Sequence, residues 1–337
     1  MTTVVVAFRR RSSFVDRDIG LLAKHYSVIP FAWNHITGPF ALARIAANAD
    51  VIFSWFAGAY AAFASYLGRF HGPKTITNLG GYDCVGIPEI RFGAFLNPIL
   101  SLQVKVAVAR SDVVTAVDPS LISDLRQSFP TPREILVIPT GYDSAEFFPT
   151  GSKEDIVLSV GEIDRAAALR KGLFTFAEVA RKMKDLTFVL AGPILTKDLA
   201  DELVAISGGR LHLTGRLDWP DLIRYYQRAK VYCQLSRHEG LPNGVCEAML
   251  CECVPVGTEH GGIPTAIGTT GAYCVYGDVS STCAAIEAAL NMNGGRARER
   301  IRQLFPIARR ERSIVEIIDR LADHPRVALG VHKSYRN

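Results

Sequence analysis

The sequence predicts an α/β protein of two doubly wound domains, each folded around its own parallel sheet. Length, the alternation of short apolar runs with longer amphipathic stretches, and a break near the middle lead to this prediction. A chain of 337 residues is long for one ordinary domain and suits two of about 150 residues. Most short runs are rich in Val, Ile and Leu and apolar throughout, which is typical of parallel strands that helices cover on both faces.

The predicted strands form two series, and helical patterns such as residues 119–127 lie between most of them. Another helical pattern spans residues 19–26. The first series of strands lies at residues 4–8, 27–31, 51–55, 74–78, 113–116 and 135–138. The second series lies at residues 156–160, 187–191, 211–214, 231–234 and 254–256. In two such domains the carboxyl ends of the strands face a cleft, where folds of this kind bind ligands.

The break between the two series predicts a domain boundary at residues 140–153. Residues that interrupt regular structure cluster there, namely Pro139, Gly141, Pro149 and Gly151. We therefore assign residues 1–148 to a first domain and residues 149–305 to a second. The remainder, 306–337, contains an amphipathic stretch that predicts a terminal helix, and we expect this helix to pack back toward the first domain.

Charge and cysteine content exclude several classes of protein. The net charge of +5 is mild, and a solvated basic face is the favoured interpretation of the arginines at 9–11 and 296–312. No nucleic-acid-binding module is recognisable, so we expect no nucleic-acid partner. The seven cysteines are an odd number without the paired spacing of a zinc site, which predicts buried thiols and no metal.

The start of the sequence and one uncharged stretch bear on the cellular compartment. Strand-like residues 3–8 begin the chain directly, so we predict no signal peptide and a cytoplasmic protein. Residues 51–68 carry no charge and are nearly long enough to span a bilayer. They divide into a β-branched, aromatic start and a small-residue continuation, which predicts a buried strand followed by a helix rather than a transmembrane span.

The segment from Ser236 to Val256 contains the strongest functional signal. The strand at 231–234 leads into a turn at Gly240 and Pro242, and a helical composition follows over residues 243–250. A helix that begins after a tight turn directs free backbone N–H groups and its positive end at one point. The amides of Asn243, Gly244 and Val245 therefore form a candidate phosphate site.

Two acidic residues, Glu239 and Glu247, flank this point at a spacing of eight positions. A carboxylate does not bind phosphate, but it accepts hydrogen bonds from hydroxyls, and a nucleotide sugar has hydroxyls on both sides of its diphosphate. The alternative structural interpretation is that Glu239 caps the helix and Glu247 makes an exposed ion pair. A glycosidase pair is disfavoured, because eight helical residues span roughly 12 Å, beyond the separation of such pairs.

Taken whole, residues 239–256 resemble the signature of glycosyltransferase family 4, whose hallmark is two glutamates at this spacing. The match continues through Pro255-Val256-Gly257, Gly261-Gly262-Ile263-Pro264 and Gly277-Asp278 in the family's order. Upstream, residues 116–120, 138–143 and 148–149 resemble the family's interdomain region, and Lys171-Gly172-Leu173 resembles its diphosphate-binding lysine segment. The resemblance covers roughly residues 111–278 and includes the first hundred residues only weakly.

The resemblance implies a GT-B fold, in which two Rossmann-like domains face each other across a cleft. It implies retaining transfer of a sugar from a UDP- or GDP-sugar, which is a co-substrate, with no metal and no other cofactor. In that scheme Glu239 holds the donor sugar, Glu247 holds the ribose, and Lys171 neutralises the leaving diphosphate. The other donor-binding positions implied are Asn243, Gly244, Val245, Gly240, Gly161, Gly261 and Gly262.

Two departures from the family pattern concern the charges around the donor. Glu162 stands after Gly161 where the family carries an arginine. Because we expect the loop 163–170 to be extended, Arg165 is our slightly preferred replacement, with Arg170 as the alternative. Gly80 stands where the family often has a histidine, which leaves open whether Asp83 or Asn78 contacts a substrate. Asp16 and Asp18 mimic the metal-binding Asp-x-Asp of the other glycosyltransferase fold, but helix capping is the favoured interpretation.

The acceptor and two other functions remain open at this level. The acceptor is a glycan, a lipid-linked sugar or a small molecule. Arg9–Arg11 with the apolar residues Phe92, Phe95, Leu96 and Ile99 would suit a lipid phosphate at a membrane surface, although ordinary core and solvated arginines are favoured. The alternatives are another GT-B enzyme, namely a sugar-nucleotide epimerase or a phosphorylase, and a catalytically silent sugar-nucleotide-binding protein.

Overall fold

The structure, a computed structural model, describes residues 1–69 and 72–323, which contain two parallel six-stranded sheets. This arrangement confirms the predicted α/β class of doubly wound sheets. The strands of the first sheet are β1 (Thr3–Phe8), β2 (Ser27–Ala32), β3 (Val51–Trp55), β4 (Lys74–Leu79), β5 (Val113–Ala116) and β6 (Leu136–Val137). Those of the second are β7 (Glu154–Val160), β8 (Thr187–Ala191), β9 (Leu211–Gly215), β10 (Ala229–Gln234), β11 (Val254–Thr258) and β12 (Ala272–Cys274).

Helices separate most consecutive strands in both halves of the chain. The first half contains α1 (Ser13–Leu22), α2 (Gly38–Ala46), α3 (Ala59–Leu67), α4 (Pro98–Arg110) and α5 (Pro119–Ser128). The second half contains α6 (Arg165–Lys171), α7 (Leu173–Lys182), α8 (Lys197–Ile206), α9 (Trp219–Arg228), α10 (Asn243–Leu250), α11 (Ile263–Ile267), α12 (Val279–Leu290), α13 (Gly294–Leu304) and α14 (Ile307–Ala322). Two short 3₁₀ turns, Pro88–Ile90 and Ala94–Leu96, precede α4.

Strand order creates a switch point in each sheet. The first sheet runs β2-β1-β3-β4-β5-β6 and the second runs β12-β11-β10-β7-β8-β9, with parallel pairing throughout. The order therefore reverses beside β1 in one sheet and beside β7 in the other. Crevices at the carboxyl ends of strands next to such a reversal are the usual ligand sites of open α/β sheets.

The central strands are buried along most of their length, and this explains why their positions could be predicted from the sequence. Val4, Val5 and Val6 in β1 have no exposed surface, and neither do Val157 and Leu158 in β7. A strand buried on both faces is apolar at every position, so its sequence pattern is unmistakable. Residues 51–68 form β3 followed by α3, as predicted.

Three local predictions are wrong for identifiable reasons. The helix predicted at 19–26 is α1, which starts at Ser13, because the buried Asp18 interrupts its apolar stripe. Asp16 and Asp18 lie inside α1 and do not cap it. The extended loop expected at 163–170 is largely α6, which Asp164 caps by accepting hydrogen bonds from the backbone N–H groups of Ala166 and Ala167. The sequence prediction also missed β12, a three-residue edge strand too short to show a period.

The last described helix, α14, lies against the first domain. It contacts α1 and β3, and the hydroxyl of Tyr26 donates a hydrogen bond to Asp319 Oδ1 at 2.7 Å. Residues 324–337, also assigned to this terminal region, lie outside the described residues. In the described part of the chain, no helix combines the length and apolar character needed to cross a bilayer.

Candidate active site

The segment 236–256 lies at the switch point of the second sheet, where β10 ends in a turn and α10 begins. Gly240 packs closely against the first domain, because a Cβ there would collide with the carbonyl oxygen of Gly80. Gly261 and Gly262 pack against residues 239 and 240 in the same way, and the Gly262 N–H donates to the Glu239 carbonyl at 3.1 Å. These three glycines thus shape the loop that holds Glu239.

Glu239 is the centre of a compact polar cluster. Its Oε1 accepts hydrogen bonds from Arg170 Nη1 at 2.6 Å and Lys171 Nζ at 3.3 Å. It also accepts from Gln234 Nε2 at 3.1 Å and Ser236 Oγ at 3.0 Å. Within residues 1–69 and 72–323, no side chain donates to Oε2 of Glu239, so one carboxylate oxygen is free to accept a hydrogen bond from a ligand hydroxyl.

The cluster decides the charge state of Glu239. Burial opposes its ionisation, but Arg170 and Lys171 outweigh burial and lower the pKa of Glu239 to about 2. Burial also lowers the pKa of Lys171, although Glu239 opposes that shift. At neutral pH Glu239 is an anion, so it accepts hydrogen bonds and is unsuited to serve as a general acid.

This ionisation predicts a pH-dependent contribution to stability. A carboxyl whose pKa is lower in the folded chain stabilises the fold above its unfolded pKa, and the contribution disappears as pH falls through the folded pKa. Replacing Glu239 with Gln should remove up to about 3 kcal/mol at pH 7, and the deficit relative to the parent should shrink as pH approaches 2. Urea unfolding at several pH values measures this difference in unfolding free energy, and Glu162→Gln, at an exposed position, is the control. A deficit independent of pH would contradict the assignment.

Helix α6 brings Arg170, and not Arg165, to Glu239. The two arginines are five positions apart on α6 and therefore about 140° apart around its axis. Arg165 pairs with Glu202 at 2.8 Å, and its side chain is 65% exposed. The guanidinium of Arg170 lies 5.0 Å from the ring centroid of Phe92 in the first domain, so this residue links both domains at the cluster.

Glu247 lies inside α10 and is buried rather than exposed, and its partners differ from those of Glu239. Its carboxylate accepts hydrogen bonds from Arg17 Nη2 at 3.2 Å and from the Tyr226 hydroxyl at 3.3 Å. Burial raises the pKa of Glu247, while Arg17 opposes the shift. Arg17 reaches across from α1 in the first domain, and its guanidinium also lies 5.2 Å from the ring centroid of Tyr142. Sequence reasoning missed Arg17, because no local pattern joins residues 230 positions apart.

The N-terminus of α10 lacks a side-chain cap, since Pro242 occupies the cap position. The first-turn amides of Asn243, Gly244 and Val245 are thus not satisfied by a capping side chain, the arrangement that favours an anion. The Oδ1 of Asn243 accepts a hydrogen bond from the Tyr142 hydroxyl at 2.9 Å, which fixes the start of the helix against the interdomain segment. Gly244 is required because a Cβ would collide with the Tyr232 hydroxyl.

Gly161 and three first-domain residues, Gly80, Asp83 and Asn78, are also considered from the sequence as parts of the site. A Cβ on Gly161 would lie 2.6 Å from Cδ of Lys171, so the glycine leaves room for the lysine side chain. A Cβ on Gly80 would strike the ring of Phe56, so this backbone has no space for the family's histidine. Asp83 accepts hydrogen bonds from the backbone N–H groups of Ala57, Gly80 and Gly81 and so joins two loops. Asn78 is buried in β4.

A cavity of about 290 Å³ opens between the domains beside Glu239. Its lining includes Arg170, His238, Glu239 and Asn243 from the second domain and Gly81 from the first. A larger opening, of about 1050 Å³, lies at Arg17 and Arg216. Among the described residues no three potential metal ligands of the types His, Cys, Asp and Glu come together.

The second domain is similar to a known family of proteins. Residues 154–292, which contain Lys171, Glu239 and Glu247, match the model of the family Glycosyl transferases group 1. The chain contains a group 1 glycosyltransferase domain. The N-acetyl-alpha-D-glucosaminyl L-malate synthase of Bacillus anthracis is 26% identical over 259 residues. That match covers 69% of this chain and 64% of the relative, so it spans less than two thirds of the relative's length.

The similarity to solved structures covers both domains. Sucrose-phosphate synthase from Thermosynechococcus elongatus superposes with a TM-score of 0.80 at 16% identity, covering 95% of this chain and 99% of that chain. Anabaena HepE in complex with UDP and glucose superposes with a TM-score of 0.78 at 15% identity, covering 95% and 100%. These matches show that the two sheets form a GT-B fold, as the sequence resemblance predicted.

Proposed function

We propose that the chain is a retaining glycosyltransferase that moves a sugar from a UDP-sugar to an acceptor hydroxyl, as its resemblance to family 4 implies. One observation carries this proposal: Glu239 presents a free carboxylate oxygen beside Arg170, Lys171 and the N-terminus of α10. An anion for sugar hydroxyls and cations for a diphosphate thus lie at one point. The complex of the structural neighbour HepE with UDP-glucose supports the choice of a UDP-sugar over a GDP-sugar.

The roles follow from where charge develops. When the bond from the anomeric carbon to the β-phosphate oxygen breaks, negative charge accumulates on the diphosphate. Lys171, Arg170 and the amides of α10 stabilise that charge and are already in place before the reaction. Glu239, ionised at neutral pH, orients the donor sugar through its hydroxyls. Because these groups supply the positive charge, we propose that transfer needs no metal ion.

Glu247 and Arg17 form the ribose end of the proposed donor site. Their carboxylate and guanidinium are 3.2 Å apart, with side chains 4% and 10% exposed. A ribose that hydrogen-bonds to Glu247 must therefore share this carboxylate with Arg17 or displace it. Arg17 also lines the opening of about 1050 Å³, so the first domain contributes a guanidinium group to the proposed donor site.

Donor binding and turnover test this function together with the choice of arginine. UDP-glucose should raise the melting temperature of the protein, because a ligand of the folded state stabilises it. When an acceptor alcohol is supplied, the glucosyl group should be transferred to its hydroxyl and free UDP should be released. Arg170→Ala should lower the affinity for UDP-glucose and the rate of transfer by roughly tenfold to a hundredfold, the value of a charged hydrogen bond. The matched Arg165→Ala, on the same helix, should change neither by more than about twofold.

The silent binding protein and the epimerase each have their own outcome in that experiment. Stabilisation by UDP-glucose without release of UDP would favour a silent nucleotide-sugar-binding protein. Conversion of the donor sugar without an acceptor would favour an epimerase. An equal loss in Arg165→Ala and Arg170→Ala would contradict the proposed placement of the diphosphate.

A further inference from the structure

A second cavity, of about 430 Å³, lies in the first domain beside the candidate active site. Loops after β1, β2, β3 and β4 enclose it, together with the N-terminal part of α4. Its lining includes five aromatic side chains, namely Phe14, Trp33, Phe56, Tyr60 and Tyr82. Phe14, Phe56 and Tyr82 also line the 290 Å³ cavity at Glu239, so the two cavities share one aromatic wall.

The backbone holds this wall under strain. Phe56 has a φ of 69°, in the left-handed region that a bulky residue adopts only when its surroundings enforce it. Its N–H donates to the Asn78 carbonyl at 2.8 Å, and its ring occupies the space that Gly80 leaves open. Strain of this kind is typical of residues that clamp a ligand, and here it positions a ring between the two cavities.

The charged groups of the second cavity leave a positive rim. Arg9 and Arg10 line it and are exposed, and neither forms a salt bridge with any residue in 1–69 or 72–323. Asp83 also lines the cavity, but it is 2% exposed and its oxygens accept three backbone N–H groups. An anionic group of a ligand therefore finds two available guanidinium groups at the rim.

Large apolar side chains project into solvent around the same cavity. Ile36, two residues before α2, and Phe40, in the first turn of α2, are 84% and 83% exposed. Ile99 and Leu102, in the first turns of α4, are 68% and 61% exposed. Ile36 adjoins His35, and Leu102 adjoins Gln103, and both neighbours line the cavity. The ordinary core packing favoured from sequence for Ile99 is therefore wrong.

We propose that the acceptor is an anionic amphiphile presented by a membrane surface. Its hydrocarbon part occupies the aromatic cavity, its anionic headgroup binds Arg9 and Arg10, and Ile36, Phe40, Ile99 and Leu102 insert into the outer part of the lipid layer. Apolar side chains with a basic rim are the combination that binds anionic interfaces without spanning them. The hydroxyls of a polar glycan would find few hydrogen-bonding partners in this largely apolar lining.

The transfer step rests on the proposed function, whereas membrane binding does not. A hydroxyl of the amphiphile's headgroup reaches past the aromatic wall to the donor at Glu239. Its oxygen forms a bond to the anomeric carbon, the bond from that carbon to the β-phosphate oxygen breaks, and UDP leaves with the electron pair. The hydroxyl proton passes to the departing diphosphate, so no further reactant is required.

Vesicle co-sedimentation of the full chain tests the membrane surface. The protein should bind vesicles of phosphatidylglycerol and phosphatidylcholine more tightly than vesicles of phosphatidylcholine alone. Arg9→Gln with Arg10→Gln should weaken the first partition coefficient by about fivefold for each arginine removed. Ile99→Ser with Leu102→Ser should weaken it at least about tenfold. The matched control is Val275→Ser, an apolar side chain 64% exposed in the second domain.

The proposal is overturned if the protein ignores anionic vesicles, or if Val275→Ser weakens binding as much as the α4 double variant. Dimerisation that the α4 variant abolishes would assign the surface to a second copy and also overturn the proposal. Dodecyl phosphate should raise the melting temperature more than inorganic phosphate does, and an equal effect of both contradicts the apolar cavity. UDP-glucose stabilisation, measured on the same variants, separates failure of this inference from failure of the proposed function.

Discussion

Replacing Lys171 with methionine is expected to lower kcat for sugar transfer by at least about a hundredfold, the usual effect of removing one preorganised donor to a developing anion. The lysine Nζ lies 3.3 Å from Glu239 Oε1, and its side chain is 18% exposed. Its charge is therefore fixed next to the proposed diphosphate site and poorly screened by water. Methionine keeps most of the length and apolar volume of the side chain, so packing against Gly161 should survive.

Kinetics with UDP-glucose distinguish weaker stabilisation of the transition state from weaker binding of the donor. Because the interaction strengthens in the transition state, kcat should fall more than KM rises. Lys182→Met, at the end of α7, is the matched control and should retain full activity because Lys182 is exposed. A variant that keeps kcat and only raises KM would show that Lys171 binds ground state and transition state alike, and would remove it from the proposed mechanism.

Replacing Arg310 with alanine is expected to lower the free energy of unfolding by about 3–5 kcal/mol, the cost of leaving a buried charge unpaired. Arg310 and Asp18 are each 1% exposed and form two hydrogen bonds of 2.6 Å between α14 and α1. Arg310 also donates to the carbonyls of Ile138 and Pro139, at 2.9 and 3.0 Å. Trp55 Nε1 donates to the same Asp18 at 2.9 Å.

Urea unfolding of Arg310→Ala against Arg309→Ala measures this cost. Arg309 is the neighbouring exposed arginine and should change the unfolding free energy by less than about 0.5 kcal/mol. The double variant Asp18→Leu with Arg310→Met should recover part of the loss, because it removes both buried charges and fills their volume. If Arg310→Ala were as stable as Arg309→Ala, the ion pair would not hold α14 to the first domain.

The parts of the site that sequence reasoning predicted share one property: their signals are local. The turn, the helix start at Asn243 and the spacing of Glu239 and Glu247 lie within one continuous segment. Lys171 was recognised through its own neighbours, Gly172 and Leu173. The replacement for the missing family arginine was harder, because two candidates stood on one unrecognised helix. Only the helical phase of α6 distinguishes Arg170 from Arg165.

The sequence by itself determined the class of fold, nearly all of the strands and the glutamate pair. Buried parallel strands and a strand-turn-helix motif each depend on residues that are consecutive in the chain, so their patterns are visible without the structure. The tertiary structure alone decided which charges meet. Arg17 reaches Glu247 and Arg310 reaches Asp18 across 230 and 292 positions. Phe92 meets Arg170 only because the two domains face each other. Periodicity describes how a segment folds, whereas electrostatic partners depend on which segments the packed sheets bring together.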